Sequence, residues 1–250
     1  MTTTDSPESR KVLVAFAQAK WDAMDPRKKR EAAGRPGVAV LMVDGDSRMD
    51  SRVAKRVLAD LAVTHGAVLV QNPYDTSRYF LEEDAAVEIA LQKTLCIAEV
   101  CHLLGAREFA VTSIHNATDG TEWNADAGGG AKGIVGKFSG GGGKSKQLAR
   151  KISLTNTSSG GSADVDSARR YLADHHLESD PMLKSLVNMT AFEANAMQTF
   201  TLTIDVSREA KSTLKLALDV KAADFGTAKG SGGSAKTAVD DLTVKYEITF

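Results

Sequence analysis

The sequence has few cysteines, almost no net charge and no long uncharged apolar run, and each absence excludes a class of protein. Only two of its 250 residues are cysteine, Cys96 and Cys101. Their spacing fits no metal-binding or redox pattern, and on a helix it turns the two side chains to different faces. We therefore expect two buried thiols in a reducing compartment, with the cytoplasm as the predicted location.

The charge distribution limits the partners that the chain is expected to have. A net charge of −1 argues against a protein that binds nucleic acid over its whole surface. The basic run 27–30 has no interleaved aromatic residues, so we expect no nucleic-acid partner. The first eleven residues are polar, which predicts no secretory signal there. The most apolar stretch, 87–104, contains Glu88, Lys93 and Glu99, and these charges exclude a conventional membrane-spanning helix.

In the first half of the chain, the pattern predicts helices that alternate with buried strands. Val12, Phe16 and Ala19 share one face of a predicted N-terminal helix that ends before Pro26. The pattern then predicts, in order, a strand over 38–43, a helix closed by Gly66, a strand over 67–70, a turn over 72–75, a helix over 82–104 and a strand over 109–114. This β-α-β-α-β order is typical of a parallel sheet covered by helices.

The last fifty residues are dominated by alternation of apolar and polar side chains. Apolar residues recur at every second position in the runs 200–206, 214–220 and 242–250. Such alternation is typical of antiparallel strands that pack on one face and meet water on the other. Two helices precede these runs, and Asp180 followed by Pro181 predicts the start of the second one. The predicted fold class is therefore α+β, with antiparallel amphipathic strands and two helices after the N-terminal β-α-β-α-β layer.

A glycine-rich stretch suggests how the chain is divided. Nine of its 21 glycines lie between residues 128 and 143, and lysines accompany them. We predict an N-terminal helix with a β-α-β-α-β region over 1–125, a linker or hairpin loop over 126–149, and an α+β region with an antiparallel sheet over 150–250. Short amphipathic strands are predicted on both sides of the loop, carrying Ile134, Phe138, Ile152 and Leu154. A second stretch of similar composition, 226–236, precedes the last strand.

Two carboxylates, Asp44 and Asp46, follow the strand predicted over 38–43. This Asp-x-Asp resembles the first motif of the haloacid dehalogenase-like phosphatases, which implies a nucleophile and a magnesium ligand at these positions. The resemblance covers a handful of residues, and the family's lysine and later acidic pair have no clear counterpart here. A polar turn with a helix cap explains the same residues. In a parallel sheet, Asp75 would border the same cleft, because it follows the next strand.

A second candidate site lies in the glycine-rich stretch. Four consecutive glycines, 140–143, precede Lys144 and Ser145 and resemble part of a P-loop. Phe138 stands where that pattern requires its first glycine. Consecutive glycine amides can still form an anion-binding nest, with Lys144 and Ser145 as its candidate residues. A flexible hairpin tip explains the composition equally well.

Three functions are therefore left open by the sequence. The leading hypothesis is a non-catalytic interaction or assembly protein with a protein partner or a homo-oligomeric state, and it assigns no catalytic residue. The second is a membrane-active, pore-forming protein that inserts amphipathic β-hairpins from regions 128–155 and 213–250, whose lysines favour anionic lipid. The third is a phosphohydrolase that uses Asp44 and Asp46, with Mg²⁺ as its cofactor.

Overall fold

The computed structural model of the chain describes residues 11–44, 51–117, 120–125, 136–139, 148–149, 151, 155–157, 159–191, 198–206, 208–223 and 242–250. The strands in this part of the chain are β1 Val12–Phe16, β2 Val38–Met42, β3 Val68–Asn72, β4 Asp75–Leu81, β5 Glu108–Asn116, β6 Thr121–Ala125, β7 Gly136–Ser139, β8 Thr155–Thr157, β9 Thr199–Asp205 and β10 Leu242–Thr249. The helices are α1 Gln18–Asp22, α2 Pro26–Gly34, α3 Ser51–Asp60, α4 Glu82–Leu103, α5 Val165–Asp174, α6 Pro181–Thr190 and α7 Lys211–Ala222. This is an α+β protein, as the sequence predicts.

The chain forms two compact units, and each is assembled from two separate segments. The first unit contains Met1–Ala86 and Ala210–Val239, and the second contains Val87–Glu209 and Asp240–Phe250. The division predicted from the sequence, 1–125, 126–149 and 150–250, stays a prediction. The linker predicted over 126–149 lies mostly outside the described residues, so its role stays a prediction.

The first unit is built on a four-stranded sheet in the order β2-β1-β3-β4. Strand β1 pairs in parallel with β2 and antiparallel with β3, and β3 pairs antiparallel with β4. The parallel sheet predicted for this region is therefore wrong, because β2 and β3 run in opposite directions on either side of β1 and β5 belongs to the other sheet. Helix α3 packs onto the sheet through an apolar core, which includes Leu13, Leu41, Val57, Leu69 and Tyr79.

The predicted N-terminal helix is also wrong. Val12–Phe16 is a strand in which all five side chains are buried. The spacing of Val12 and Phe16 fits a helix face, but it is also an even spacing, and a continuous apolar run is typical of a central strand. The turn predicted over 72–75 is confirmed at Pro73 and Tyr74, and it leads into β4, an unpredicted strand that returns along β3 as a hairpin.

The second unit is built on a six-stranded sheet in the order β7-β6-β5-β10-β9, with β8 also paired to β5. The alternation predicted for the C-terminal strand is confirmed. Along β10, the side chains of Leu242, Val244, Tyr246 and Ile248 are buried, whereas Lys245 and Glu247 are exposed. Strands β9 and β5 flank β10 on both sides in antiparallel register.

Helix α4 spans Glu82–Leu103, close to the predicted range 82–104, and the turn that follows explains where it ends. Gly105 follows it with a left-handed backbone (φ 84°). The Gly105 N–H donates to the His102 carbonyl and the Ala106 N–H donates to the Cys101 carbonyl, both at 2.9 Å, so the turn satisfies the end of the helix. A Cβ atom at Gly105 would lie 2.3 Å from the Gly161 carbonyl oxygen. Glycine is therefore required here both by φ and by space.

The run 214–220 is the largest error of the sequence prediction, because it forms helix α7 instead of a strand. Its buried positions include Leu214, Ala217 and Val220, which recur at helical spacing. Lysine, leucine and alanine fill most of the segment, and these residues have high helix propensity. Composition and packing against β1 and β3 therefore outweigh the period-two pattern.

The remaining predictions in the second half have mixed outcomes. The helices predicted before the C-terminal strands are α5 and α6, and Asp180 caps α6 through the Met182 and Leu183 amides. Phe138 lies in β7, as predicted, but Lys151 is helical where a strand was predicted. Ile134, Ile152, Leu154 and Met197 lie outside the described residues.

Candidate functional site

Asp44 lies two residues after β2 and is exposed. Its carboxylate accepts a hydrogen bond from the Gln18 amide, at the first residue of the short helix α1. In the structure it therefore binds a backbone amide 26 residues earlier in the chain, a contact that the sequence did not predict. Asp46 lies outside the described residues, so its proximity to Asp44 stays a prediction.

Asp75 does not lie near Asp44. Strand β2 runs parallel to β1 and β3 runs antiparallel to it. The carboxyl ends of β2 and β3 therefore lie at opposite ends of β1. Asp44 follows the end of β2, which pairs with the end of β1. Asp75 follows β3 at the start of β1, about 16 Å away at roughly 3.3 Å per residue. The carboxylate of Asp75 instead binds Ser77 and lies 3.2 Å from Arg78.

The described residues contain no group of three histidine, cysteine or acidic side chains that could hold a metal ion. The proposed ligand pair Asp44 and Asp46 is only half described, so no magnesium geometry can be derived from it. The anion-binding candidates Lys144 and Ser145 both lie outside the described residues and stay predictions.

The most unusual polar cluster in the described part of the chain surrounds Lys93. This side chain is fully buried in the middle of α4. Its ammonium group lies 3.1 Å from Asp180 Oδ2, 3.1 Å from the Asp205 carbonyl oxygen and 2.8 Å from Glu209 Oε2. An ammonium group has three N–H donors, and these three acceptors match them. We call Lys93, Asp180, Asp205 and Glu209 the Lys93 cluster.

Each acceptor in the Lys93 cluster belongs to a different part of the second unit. Asp180 is the N-cap of α6, and its other carboxylate oxygen accepts from the Met182 amide at 3.0 Å. Asp205 is the last residue of β9, and Glu209 lies four residues further on, just before α7. The cluster therefore joins the centre of α4 to the start of α6 and to both sides of the β9–α7 connection.

The surroundings of Lys93 argue for a structural role and against a nucleophilic one. A lysine that acts as a nucleophile needs an amine that can approach a substrate, whereas the Lys93 nitrogen is fully buried and is held by three acceptors. The next residue, Thr94, continues the polar contacts, because its hydroxyl lies 3.0 Å from the Tyr246 hydroxyl on β10. Sequence reasoning noted Lys93 only as a charge in an apolar stretch. A lone lysine at the centre of an apolar helix was the signal that could have identified it.

The two cysteines are buried and unpaired, as predicted. Burial raises the pKa of both thiols, although a hydrogen bond from the Tyr171 side chain opposes this effect at Cys96. A raised thiol pKa keeps the reactive thiolate form scarce at neutral pH. These cysteines are therefore packing residues rather than nucleophiles.

The connections of the second sheet share a feature that the sequence does not show directly. Strands β9 and β10 are antiparallel neighbours, and the stretch 207–241 joins them. Strands β5 and β8 are also antiparallel neighbours, and the stretch 117–154 joins them. We call 117–154 and 207–241 the two inserts. Each contains one of the glycine- and lysine-rich segments.

Both inserts leave the sheet at the same end. Strand β5 ends at Asn116, which is paired with Leu242, where the second insert returns. Asp205, where the second insert leaves, is paired with the adjacent Thr243. Since β5 and β10 are also neighbours, the two inserts begin close to each other at the same end of the strands.

Helix α7 lies within the second insert and packs incompletely on the first unit. Leu216 and Leu218 are only partly buried, although a strand would place them on the same face as Leu214 and Val220. A groove of about 580 Å³ beside the helix is lined by residues that include Leu216 and Pro36. The helical form therefore leaves apolar surface that the period-two pattern would bring together.

No helix in the described part of the chain is both long and apolar enough to cross a membrane. Comparisons with models of known families, with curated proteins and with solved structures found no match to this chain.

Proposed function

We propose that this chain is a membrane-active protein whose two inserts, 117–154 and 207–241, refold into amphipathic β-hairpins in a bilayer. The observation that carries the proposal is the position of these inserts. Each joins two strands that are already antiparallel neighbours in one sheet, and extension of the second insert would lengthen the β9–β10 pair in register. The second insert needs no exchange of strand partners for this, whereas the first must release β6 from residues 113–116 of β5.

The inserts have the length and pattern that a membrane hairpin requires. A strand that crosses a bilayer needs about 9–11 residues, so a hairpin with its turn needs roughly 20–25. Both inserts exceed this length. In the second insert, the run 214–222 carries apolar or small residues at every second position, and a glycine-rich segment follows it. This is the alternation expected of a strand with one face toward lipid.

The solution form of α7 supports this proposal energetically. As a helix it leaves Leu216 and Leu218 partly exposed. As a membrane strand it would bury both, and full burial of a leucine side chain contributes about 1.5–3 kcal/mol. The cost is the loss of the packing of α7 on β1 and β3, so the helix is favoured only while no bilayer is present.

The positive charges of the inserts favour an anionic membrane as the partner. A lysine near an anionic surface contributes about 1 kcal/mol to binding. The lysines in or near the two glycine-rich segments are Lys132, Lys137, Lys144, Lys146, Lys229 and Lys236. On this proposal, Lys144 meets lipid phosphate rather than a nucleotide.

Dye release from vesicles tests the proposal. We expect release from vesicles rich in phosphatidylserine and much less from purely zwitterionic vesicles. Leu216→Lys places a charge on the lipid face of the proposed strand, which costs about 2–4 kcal/mol and lowers the release rate more than tenfold. Asp219→Lys is the matched control, because it adds a lysine to the opposite face and should release dye like the wild type.

The proposal fails if anionic vesicles stay intact at high protein concentration and after limited proteolysis. It also fails if Leu216→Lys and Asp219→Lys release dye equally well. The released-dye traces should be compared with the far-ultraviolet circular dichroism of each variant, so that a loss of folding is not mistaken for a loss of insertion.

A protein–protein assembly without a membrane is the second candidate, and the edge strand β9 favours it. In the described part of the chain, β9 is paired on one side only, with β10. Its exposed side chains Thr199, Thr201 and Thr203 include none of the charges or prolines that usually protect an edge strand. A defined oligomer in sedimentation that forms without lipid, together with intact vesicles, would support assembly instead of insertion.

Two further predictions stay open beside these candidates. We place the folded chain in a reducing, cytoplasmic compartment, since both cysteines are free. A magnesium-dependent phosphohydrolase at Asp44 and Asp46 has no further support from the described residues. Phosphate release that requires Mg²⁺ and is lost in Asp44→Asn would establish it.

A further inference from the structure

We infer that the Lys93 cluster is a latch that holds the start of the second insert in its solution conformation. The inference rests on the proposed function and adds to it how insertion is restrained. Lys93 binds the carbonyl oxygen of Asp205 at 3.1 Å and the carboxylate of Glu209 at 2.8 Å. These two residues lie on either side of the point where the insert leaves β9.

The geometry explains why extension of β9 requires this cluster to open. In an extended strand, four residues span about 13 Å, since each residue advances the chain by about 3.3 Å. Asp205 and Glu209 instead both lie within hydrogen-bonding distance of one nitrogen atom. A glutamate side chain covers only part of that length, and residues 208–210 form a turn, so the chain does not continue as a strand here. Strand β9 cannot lengthen beyond Val206 until Glu209 leaves Lys93.

Burial makes the Lys93 cluster stronger than the other ionic contacts between α4 and the inserts. Glu88 pairs with Lys151 of the first insert, and Glu82 pairs with Lys221 of the second. Both of those lysine side chains are largely exposed, and exposed ion pairs contribute little. Lys93 is fully buried, and the Glu209 side chain is 17% exposed. Separation of Glu209 from Lys93 removes one of two carboxylates beside a buried ammonium group, which costs more than the separation of an exposed pair.

The position of Glu209 also suits a latch that opens. Asp180 is almost fully buried and is held by the amides of α6, so it stays in place. Glu209 is the more exposed of the two carboxylates, and it is the one that belongs to the connection leading into the insert. It can therefore move into water while Asp180 keeps a countercharge beside Lys93.

Hydrogen exchange tests the latch without a membrane. Glu209→Gln removes the charge but keeps the size and a hydrogen-bond acceptor, so the fold is expected to persist. We expect amides in 208–216 to exchange about tenfold faster in this variant than in the wild type, while amides of β10 are unchanged. Glu178→Gln is the matched control, since Glu178 is exposed and lies close in sequence to Asp180. It should exchange like the wild type.

Dye release from phosphatidylserine vesicles separates the latch from the proposed function. Faster exchange in 208–216 together with faster dye release in Glu209→Gln supports both. Faster exchange with no release by any variant upholds the restraint on the insert but overturns membrane insertion. Unchanged exchange in 208–216 overturns the latch, whatever the vesicles show. Where the wild type does release dye, faster exchange in Glu209→Gln with an unchanged release rate also overturns the latch, because opening the cluster then does not limit insertion.

Discussion

Replacement of Lys93 by methionine is the perturbation with the largest predicted effect on the second unit. Methionine has nearly the same length and fills the same space, so the change removes mainly the charge and its three hydrogen bonds. Asp180 would then remain in a site where its side chain is only 4% exposed. Removal of one partner from a buried ion pair destabilises a protein by about 3–5 kcal/mol. That is a large part of the 5–15 kcal/mol by which a typical domain is stable.

Urea unfolding followed by tryptophan fluorescence measures this effect. The chain has two tryptophans, and Trp123 is buried on β6 of the second unit. In a Trp21→Phe background, Trp123 alone reports on that unit. With an m-value of about 2 kcal/mol/M, a loss of 3–5 kcal/mol lowers the urea midpoint by roughly 1.5–2.5 M.

A combined variant separates loss of a stabilising contact from exposure of an unpaired charge. Lys93→Met together with Asp180→Asn and Glu209→Gln removes all three charged groups that meet in the cluster. Neutral replacements of buried ion pairs are often as stable as the original, so we expect most of the lost stability to return. If Lys93→Met alone costs less than about 1 kcal/mol, or if the combined variant is less stable than Lys93→Met, the description of this cluster is wrong.

Three further predictions concern stability alone. Tyr246→Phe should cost about 1 kcal/mol in urea unfolding, because it removes one buried hydrogen bond to Thr94 and keeps the ring. Gly105→Ala should cost about 2–3 kcal/mol, because φ is positive and the new Cβ meets a backbone oxygen, and an equal stability of the two proteins would contradict this. Burial raises the pKa of Cys96 and Cys101 above the ordinary value of 9.0, so the fold favours their neutral thiols. Their contribution is complete below about pH 9 and is lost as the pH rises further, so thermal stability should fall above pH 9 and fall less in Cys101→Ala.

Local patterns predicted the elements whose composition and periodicity agree. Helix α4 begins with three acidic residues and ends before Gly105, and both signals are local. Strand β10 alternates strictly and has β-branched and aromatic residues on its buried face. In the run 214–220, periodicity and composition disagree. Alternation indicates a strand, whereas leucine, lysine and alanine favour a helix, and only the packing in the folded chain decides between them.

Contacts between residues distant in sequence could not be predicted in this way. Lys93 meets Asp180 and Glu209 across separations of 87 and 116 residues, and no local pattern indicates such pairs. The same holds for the sheet order that makes β9 the neighbour of β10 and β8 the neighbour of β5. The position of Asp75 depends on the direction of β3. Because β3 pairs antiparallel with β1, Asp75 lies at the end of the strands opposite to Asp44.

The conformation of residues 214–222 in a membrane tests the central claim most directly. Single cysteines introduced one at a time into a Cys96→Ala, Cys101→Ala background carry an environment-sensitive fluorophore, and a lipid-attached quencher reports contact with the bilayer. Without vesicles, we predict shielding with a helical period, strongest at positions 214, 217 and 220. With phosphatidylserine vesicles, we predict quenching at 214, 216, 218 and 220 and little at the residues between them. A helical period that persists on vesicles, or no quenching at any position, would contradict the account.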